Sequence, residues 1–145
     1  MVAYRDDTVF PAPADVLWKL LDAHMDDGTI HRIHPLVLSQ QTLSRSGAET
    51  IVQRTIDARG KSLGSKWKIT YNRPGTARWE IIESEGPWSV GSYVENRYSA
   101  APGGTLIQSR GELKITVLPF FLPQGMMIRS IFSKLHDEDI AATRA

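Results

Sequence analysis

The spacing of apolar residues changes along the chain, and each change indicates a different kind of element. Residues 2–10 are typical of a strand, and an apolar stripe at helical spacing follows at Val16, Leu17, Leu20 and Leu21. Pro13 suits the start of that helix, because a missing N–H costs nothing in the first turn. Residues 29–33 are predicted to form a second, short helical turn that ends before Pro35.

From Leu36 onward the period is two, which predicts strands at about 36–45, 49–59, 62–72, 77–84, 89–99 and 104–117. Gly64, Gly91 and Gly111 lie inside these predicted strands and favour a bent sheet. Helical spacing returns over residues 126–142, and the polar run 136–139 predicts a solvated end for this last helix. The order predicts an α+β fold: a curved seven-stranded antiparallel sheet wrapped around a long C-terminal helix, with two short helices after strand 1. Residues 1–145 are expected to form a single domain.

Composition narrows the functional classes. With 41% hydrophobic residues, 145 residues can bury one core, and a net charge of +1 without a charge block argues against a nucleic-acid partner. The absence of cysteine excludes disulfides, thiolate catalysis and cysteine-bound zinc. No leader-like segment and no apolar run of membrane-spanning length is present, which predicts a cytoplasmic protein without an integral membrane segment.

Several polar side chains share the apolar phase of their strands, where burial without a partner is costly. These are Arg54, Asn96, Tyr98 and Ser109. Each has a plain interpretation, an internal hydrogen bond or, for Arg54, a side chain that reaches the rim. Together they favour a pocket, because convergent polar groups on a concave face are typical of a binding site.

Aromatic residues of the strands and apolar residues of the last helix complete the predicted pocket. The alternative interpretation is that the same residues only fill the core. Trp67, Tyr71 and Trp79 are predicted as wall residues, and Trp88 is expected to line a loop at the entrance. Met127 and Ile131, on the inner stripe of the last helix, are predicted as the floor. The predicted ligand-binding set is therefore Arg54, Trp67, Tyr71, Trp79, Asn96, Tyr98, Met127 and Ile131.

Catalytic and metal chemistry receive less support from the sequence. Residue types that bind metals cluster at His24, His31 and His34, beside Asp26 and Asp27. Their spacing does not match that of a known zinc site, so neither a metal nor a cofactor is predicted. No nucleophile motif is present, and no catalytic residue is assigned. Proton transfer by Tyr71, Tyr98 or His34 stays open.

The order of elements and several local patterns resemble the START/Bet v 1-like (SRPBCC) superfamily, in particular its polyketide cyclase/dehydrase and lipid-transport branch. The resemblance is carried by the helix start from Pro11 to Trp18, by Ile33-His34-Pro35, by Gly104-Thr105-Leu106 and by the apolar segment from Leu118 to Leu122. It implies a helix-grip fold around an apolar cavity, and a packing role for His34. It implies no single chemistry, because members of the superfamily differ in function.

Three functions follow as expectations. The first is binding or carriage of a small hydrophobic molecule, such as a lipid, an isoprenoid or a polyketide-like compound, by a protein that is not an enzyme. The second is a cyclase-like enzyme that positions its substrate and transfers protons. The third is an interaction module, in which the segment from Leu118 to Leu122 is a docking patch rather than buried core or a lid that touches membranes transiently. The oligomeric state is left open.

Overall fold

The structure is a computed structural model that describes residues 1–116 and 123–144. Within these residues, seven strands and three helices form in chain order: β1 (Val2–Phe10), α1 (Ala14–His24), α2 (Ile30–Ile33), β2 (Val37–Ser46), β3 (Glu49–Ala58), β4 (Lys61–Asn72), β5 (Thr76–Ser84), β6 (Tyr93–Ala101), β7 (Gly104–Leu113) and α3 (Gln124–Arg144). The predicted segment from Leu118 to Leu122 lies outside the described residues.

The strands form one sheet in the order β1-β7-β6-β5-β4-β3-β2, and every neighbouring pair is antiparallel. The sheet is curved and open, and it packs one face, here called the inner face, against α3. The predicted helix-grip fold is therefore confirmed. Irregular register in β2 and between Lys66 and Trp67 locally changes the pairing, as bulges do in strongly bent sheets.

The predicted strand boundaries agree with the structure except around β6 and β7. Residues 89–92 belong to a loop rather than to β6, because Gly91 adopts a positive φ of 90° and turns the chain. β7 ends at Leu113, and beyond it an isolated bridge pairs Ile115 with Trp88. Trp88 is 7% exposed and packs in the core, so its predicted position at a pocket entrance is wrong.

Backbone packing leaves no room for a side chain at one predicted kink. A Cβ added to Gly111 in β7 would overlap the carbonyl oxygen of Tyr93 on the neighbouring β6. Only glycine allows the two strands to approach so closely at this register.

The long helix α3 is anchored at its first residue. The side-chain amide of Gln124 donates to the carbonyl oxygen of Ile115 at 2.8 Å and its oxygen accepts from the Ile115 N–H at 2.9 Å, as a paired strand would. Ile128, 1% exposed, then packs into the core with Tyr4 and Leu113. Within the described residues, no helix is both long and apolar enough to cross a membrane.

The buried side chains of the described residues fall into three clusters rather than one. The first surrounds α1, the second lies under the first half of α3, and the third joins Met25 to Val52 and Ile69. Trp67, Tyr71 and Trp79 each pack against two clusters and stay only half-buried. The inner face is therefore lined by incompletely covered aromatic rings where these clusters meet.

Candidate functional site

Arg54 is the most unusual of the predicted site residues, because its charge is buried without a carboxylate beside it. It lies on β3 in phase with Val52 and is 8% exposed. Its Nε donates to Oε1 of Gln40 on β2 at 2.6 Å, and none of the ion pairs formed among residues 1–116 and 123–144 includes it. Burial lowers the pKa of Arg54 to about 10, although electrostatic interactions with Tyr71 and Asp27 partly oppose that change. The guanidinium is thus ionised at neutral pH but poorly solvated.

Gln40 joins Arg54 to the turn after α1. Its amide nitrogen donates to the carbonyl oxygen of His24 at 3.1 Å and to Oδ1 of Asp27 at 3.0 Å. Asp27 also accepts from the backbone N–H and the hydroxyl of Thr42. Burial of the Asp27 carboxyl raises its pKa, but these hydrogen bonds outweigh the burial and the pKa is lowered overall. This polar network fixes the position of the Arg54 side chain on the inner face.

One ring of the predicted aromatic wall lies beside Arg54: the Cζ of Arg54 is 5.1 Å from the ring centroid of Trp67, a cation–π contact. Tyr71 and Trp79 meet edge to face at 6.1 Å, and the Tyr71 hydroxyl donates to the carbonyl oxygen of Leu21 at 2.9 Å. Burial raises the pKa of the Tyr71 hydroxyl, so it stays protonated.

The predicted floor residues join the same surface through Trp67. Met127 and Ile131 of α3 pack, partly buried, in the cluster to which Trp67 also contributes. The structure therefore places Trp67, Met127 and Ile131 around the same core cluster, and Arg54 lies beside Trp67 on the sheet.

The remaining predicted residues form a separate polar chain on β6 and β7. Ser109 donates from Oγ to Oδ1 of Asn96 at 2.6 Å, and Nδ2 of Asn96 donates to the Tyr98 hydroxyl at 3.4 Å. Trp18 separates this chain from the wall, with its ring 5.4 Å from both Tyr71 and Tyr98. Burial raises the pKa of Tyr98. The internal pairing considered for these polar residues is thus what the structure shows.

A second polar group lies where α1, α2 and α3 meet. His24 Nε2 and His34 Nε2 both contact Oδ1 of Asp139 at 2.9 Å, and Nδ1 of His34 donates to Oε1 of Glu138 at 3.0 Å. The far end of α3 is therefore not solvated as predicted, since Asp139 and Glu138 face inward. His31 lies outside this group, and its Nδ1 donates to the carbonyl oxygen of Val37 at 2.8 Å.

The pKa values of this group reflect burial balanced against charge pairing. Burial lowers the pKa of His24, and contacts with Asp139 only partly oppose it. Burial also disfavours the charge on His34, but its hydrogen bonds to Asp139 and Glu138 outweigh that cost and raise its pKa. Burial would raise the pKa of Asp139, yet the two histidines hold it at about 2. Asp139 is thus a carboxylate at neutral pH.

Sequence reasoning missed Asp139 and Glu138, although a signal was present. Asp139 lies four residues after Leu135 and eleven after Ile128, so helical spacing places all three on the same face of α3. A carboxylate on the apolar stripe of a helix indicates a buried partner.

Two surface depressions, of about 150 and 360 Å³, lie over β3, β4 and β5. They are lined largely by charged side chains of the opposite, outer face, among them Lys68, Arg78 and Glu83. None of the predicted ligand-binding residues lines them. Their polar character does not suit a hydrophobic ligand.

Comparison with known proteins places the fold within a recognised group. No family model and no curated protein matches the sequence. Among solved structures, Ara h 8.0201 superposes with a TM-score of 0.77 at 16% identity over 98% of this chain and 97% of that one. The Zhui aromatase/cyclase from Streptomyces sp. R1128 gives 0.68 at 13% identity, over 98% of this chain and 90% of that one.

A third structure, the di-domain ARO/CYC StfQ from the steffimycin biosynthetic pathway, gives a TM-score of 0.76 at 12% identity. The match covers 98% of this chain and 49% of StfQ, so this chain spans about half of that protein. These similarities confirm the predicted helix-grip fold, which this chain shares with Ara h 8.0201 and with the two aromatase/cyclase structures. Identities this low establish the fold alone.

Proposed function

We propose that this protein binds a small hydrophobic molecule that carries an anionic group, between the inner face of the sheet and α3. The observation that carries the proposal is the buried guanidinium of Arg54, which has no carboxylate within ion-pair distance among the described residues. A charge in that position is costly unless something compensates it. A carboxylate or phosphate suits the planar guanidinium, which offers paired N–H donors.

The surroundings of Arg54 support an apolar body for this ligand. Trp67, Tyr71 and Trp79 are half-buried rings at the junctions of the three core clusters, and such rings stack on flat or aliphatic groups. Met127 adds an adaptable side chain from α3. A lipid, isoprenoid or polyketide-like acid fits this combination of one buried cation and an aromatic wall.

The test compares acids with their neutral esters. Native mass spectrometry of protein purified from its own cells first identifies any bound molecule. Tryptophan fluorescence titrations with fatty and aromatic acids, and with the matching methyl esters, then measure the preference for the anion. We expect the acid to bind at least about tenfold more tightly, because a hydrogen bond to a charged group contributes about 1.5–3 kcal/mol.

Variants assign that preference to one residue. Arg54→Met is expected to bind acid and ester equally, whereas Arg78→Met, which removes a partly exposed arginine of the outer face, retains the preference. Equal binding of acid and ester by the unmodified protein, or binding of neither with an empty site in mass spectrometry, contradicts the proposal.

A cyclase-like activity is the second candidate, favoured by the hydrogen-bonded chain of Ser109, Asn96 and Tyr98 on the inner face. Such a chain can orient a ketone oxygen and supply a proton to it. Incubation with a linear poly-β-ketone tests this role by product analysis. Loss of turnover in Tyr98→Phe, with ligand binding retained, supports it, and turnover equal to the uncatalysed rate rules it out.

A further inference from the structure

The side chains of His24, His34 and Asp139 meet at one point under α3. His24 Nε2 lies 3.1 Å from His34 Nε2, and Oδ1 of Asp139 lies 2.9 Å from each nitrogen. Each residue comes from a different element: the last position of α1, the position after α2, and the C-terminal half of α3. Both histidines are at most 8% exposed.

The two imidazole rings point toward a common centre. Their Nε2 atoms are 3.1 Å apart while their ring centroids are 5.0 Å apart, and the planes differ by 19°. The rings therefore converge at their Nε2 edges, where the lone pairs used for coordination lie. For an ion placed about 2.1 Å from all three atoms, the usual length of such bonds, each ligand–metal–ligand angle is about 90°. Three ligands at right angles leave further coordination positions open for water or another molecule.

The groups around this centre hold the rings in a coordinating orientation. Glu138 Oε1 accepts the proton of His34 Nδ1 at 3.0 Å, which leaves Nε2 to face the centre. A carboxylate on the outer nitrogen is the usual partner of a metal-bound histidine. Gln40 fixes the end of α1 through the carbonyl oxygen of His24, and His31 ties α2 to the start of β2.

We propose that His24 Nε2, His34 Nε2 and Asp139 Oδ1 bind a divalent first-row transition-metal ion, with Glu138 as a positioning residue. Two imidazole nitrogens and one carboxylate suit Fe²⁺, Co²⁺ or Zn²⁺, whereas Ca²⁺ and Mg²⁺ prefer oxygen ligands alone. On binding, the ion replaces the polar contacts that link these three atoms to one another. The sequence alone predicted no metal, because His24, His31 and His34 lack the spacing of a known zinc site and Asp139 was expected to lie in solvent. This site is distinct from Arg54 and goes beyond the proposed hydrophobic ligand.

Cobalt titration of the tag-free, chelator-treated protein tests the site. Co²⁺ is followed by its visible absorption, and the competing Zn²⁺ by calorimetry. We expect one saturable ion per chain. Asp139→Asn is expected to weaken Co²⁺ binding by at least about a hundredfold, because removal of an outer partner alone costs about 10–100-fold. The matched control is Asp137→Asn, an exposed carboxylate on the same helix, which should bind Co²⁺ as the unmodified protein does.

Further variants separate coordination from loss of structure. Glu138→Gln should weaken binding about 10–100-fold while the stoichiometry stays at one ion. His24→Gln provides a second ligand variant if Asp139→Asn fails to fold, and circular dichroism checks each protein. Absence of stoichiometric Co²⁺ binding by the unmodified protein overturns the proposal, and so does equal affinity of Asp139→Asn and Asp137→Asn. Neither outcome bears on the acid preference assigned to Arg54, so the two proposals fail separately.

Discussion

Replacing Arg54 by methionine should make the ligand-free protein more stable, which is the opposite of the usual effect of a substitution at a buried site. The substitution keeps an unbranched side chain of similar length beside Trp67 and removes only the charge and its donors. The side chain is 8% exposed, and its charge has no ion-pair partner among the described residues.

The size of the effect follows from three contributions. Burial lowers the pKa of Arg54 from 12.5 to about 10, a change equivalent to about 3 kcal/mol of lost solvation of the charged form. The substitution removes this solvation cost, but it also removes two favourable contacts. These are the hydrogen bond to Gln40, about 1.5 kcal/mol for a charged donor, and the cation–π contact with Trp67, about 0.5 kcal/mol. The balance predicts that Arg54→Met raises the free energy of unfolding by about 1 kcal/mol, as replacements of buried charges often do.

Urea unfolding at pH 7, followed by tryptophan fluorescence, measures this difference on delipidated protein. Arg78→Met is the matched control, because Arg78 lies on the outer face in ion pairs with Glu80 and Glu95. The control should lose about 0.5 kcal/mol or less. A loss of more than about 1 kcal/mol in Arg54→Met would refute the reasoning, since the charge would then be compensated within the protein and not by a ligand.

Three further predictions concern packing and acid stability. Ile128→Ala, at the 1% exposed contact between α3 and the sheet, should cost about 2–5 kcal/mol in urea unfolding, whereas Met126→Ala at 69% exposure should change it by less than about 0.5 kcal/mol. Gly111→Ala should fail to give the native near-ultraviolet dichroism or unfold at much lower urea, because its methyl group meets the carbonyl of Tyr93; native stability would contradict so close an approach of β6 and β7. Asp27→Asn should cost about 1 kcal/mol at pH 7. The folded-state pKa of Asp27 is lowered below 3.8, so its contribution is present above 3.8 and is lost as the pH falls through the folded-state value; a deficit that persists at pH 2 would argue against it.

Local patterns in the chain suffice to predict the order of the elements and the inward face of most strands. Alternation with period two placed Arg54 in phase with Val52 and placed Trp67 in phase with Ile69, and the structure turns all four toward the interior. Side-chain direction in a strand is fixed by backbone geometry, so local spacing suffices for this inference. The inference from alternation failed at the start of β6, because the positive φ of Gly91 makes a turn that the apolar spacing does not predict.

Which polar groups meet depends instead on how the helices and the sheet pack together. Along the chain, His34 follows His24 by 10 residues and Asp139 follows His34 by 105 residues. The three side chains converge because α3 packs across the ends of α1 and α2. The same packing turned the polar end of α3 inward, where local composition had indicated solvent. Local patterns report each residue's direction relative to its own helix or strand. The distance between side chains on different elements depends on how those elements pack, and that is set by the whole core.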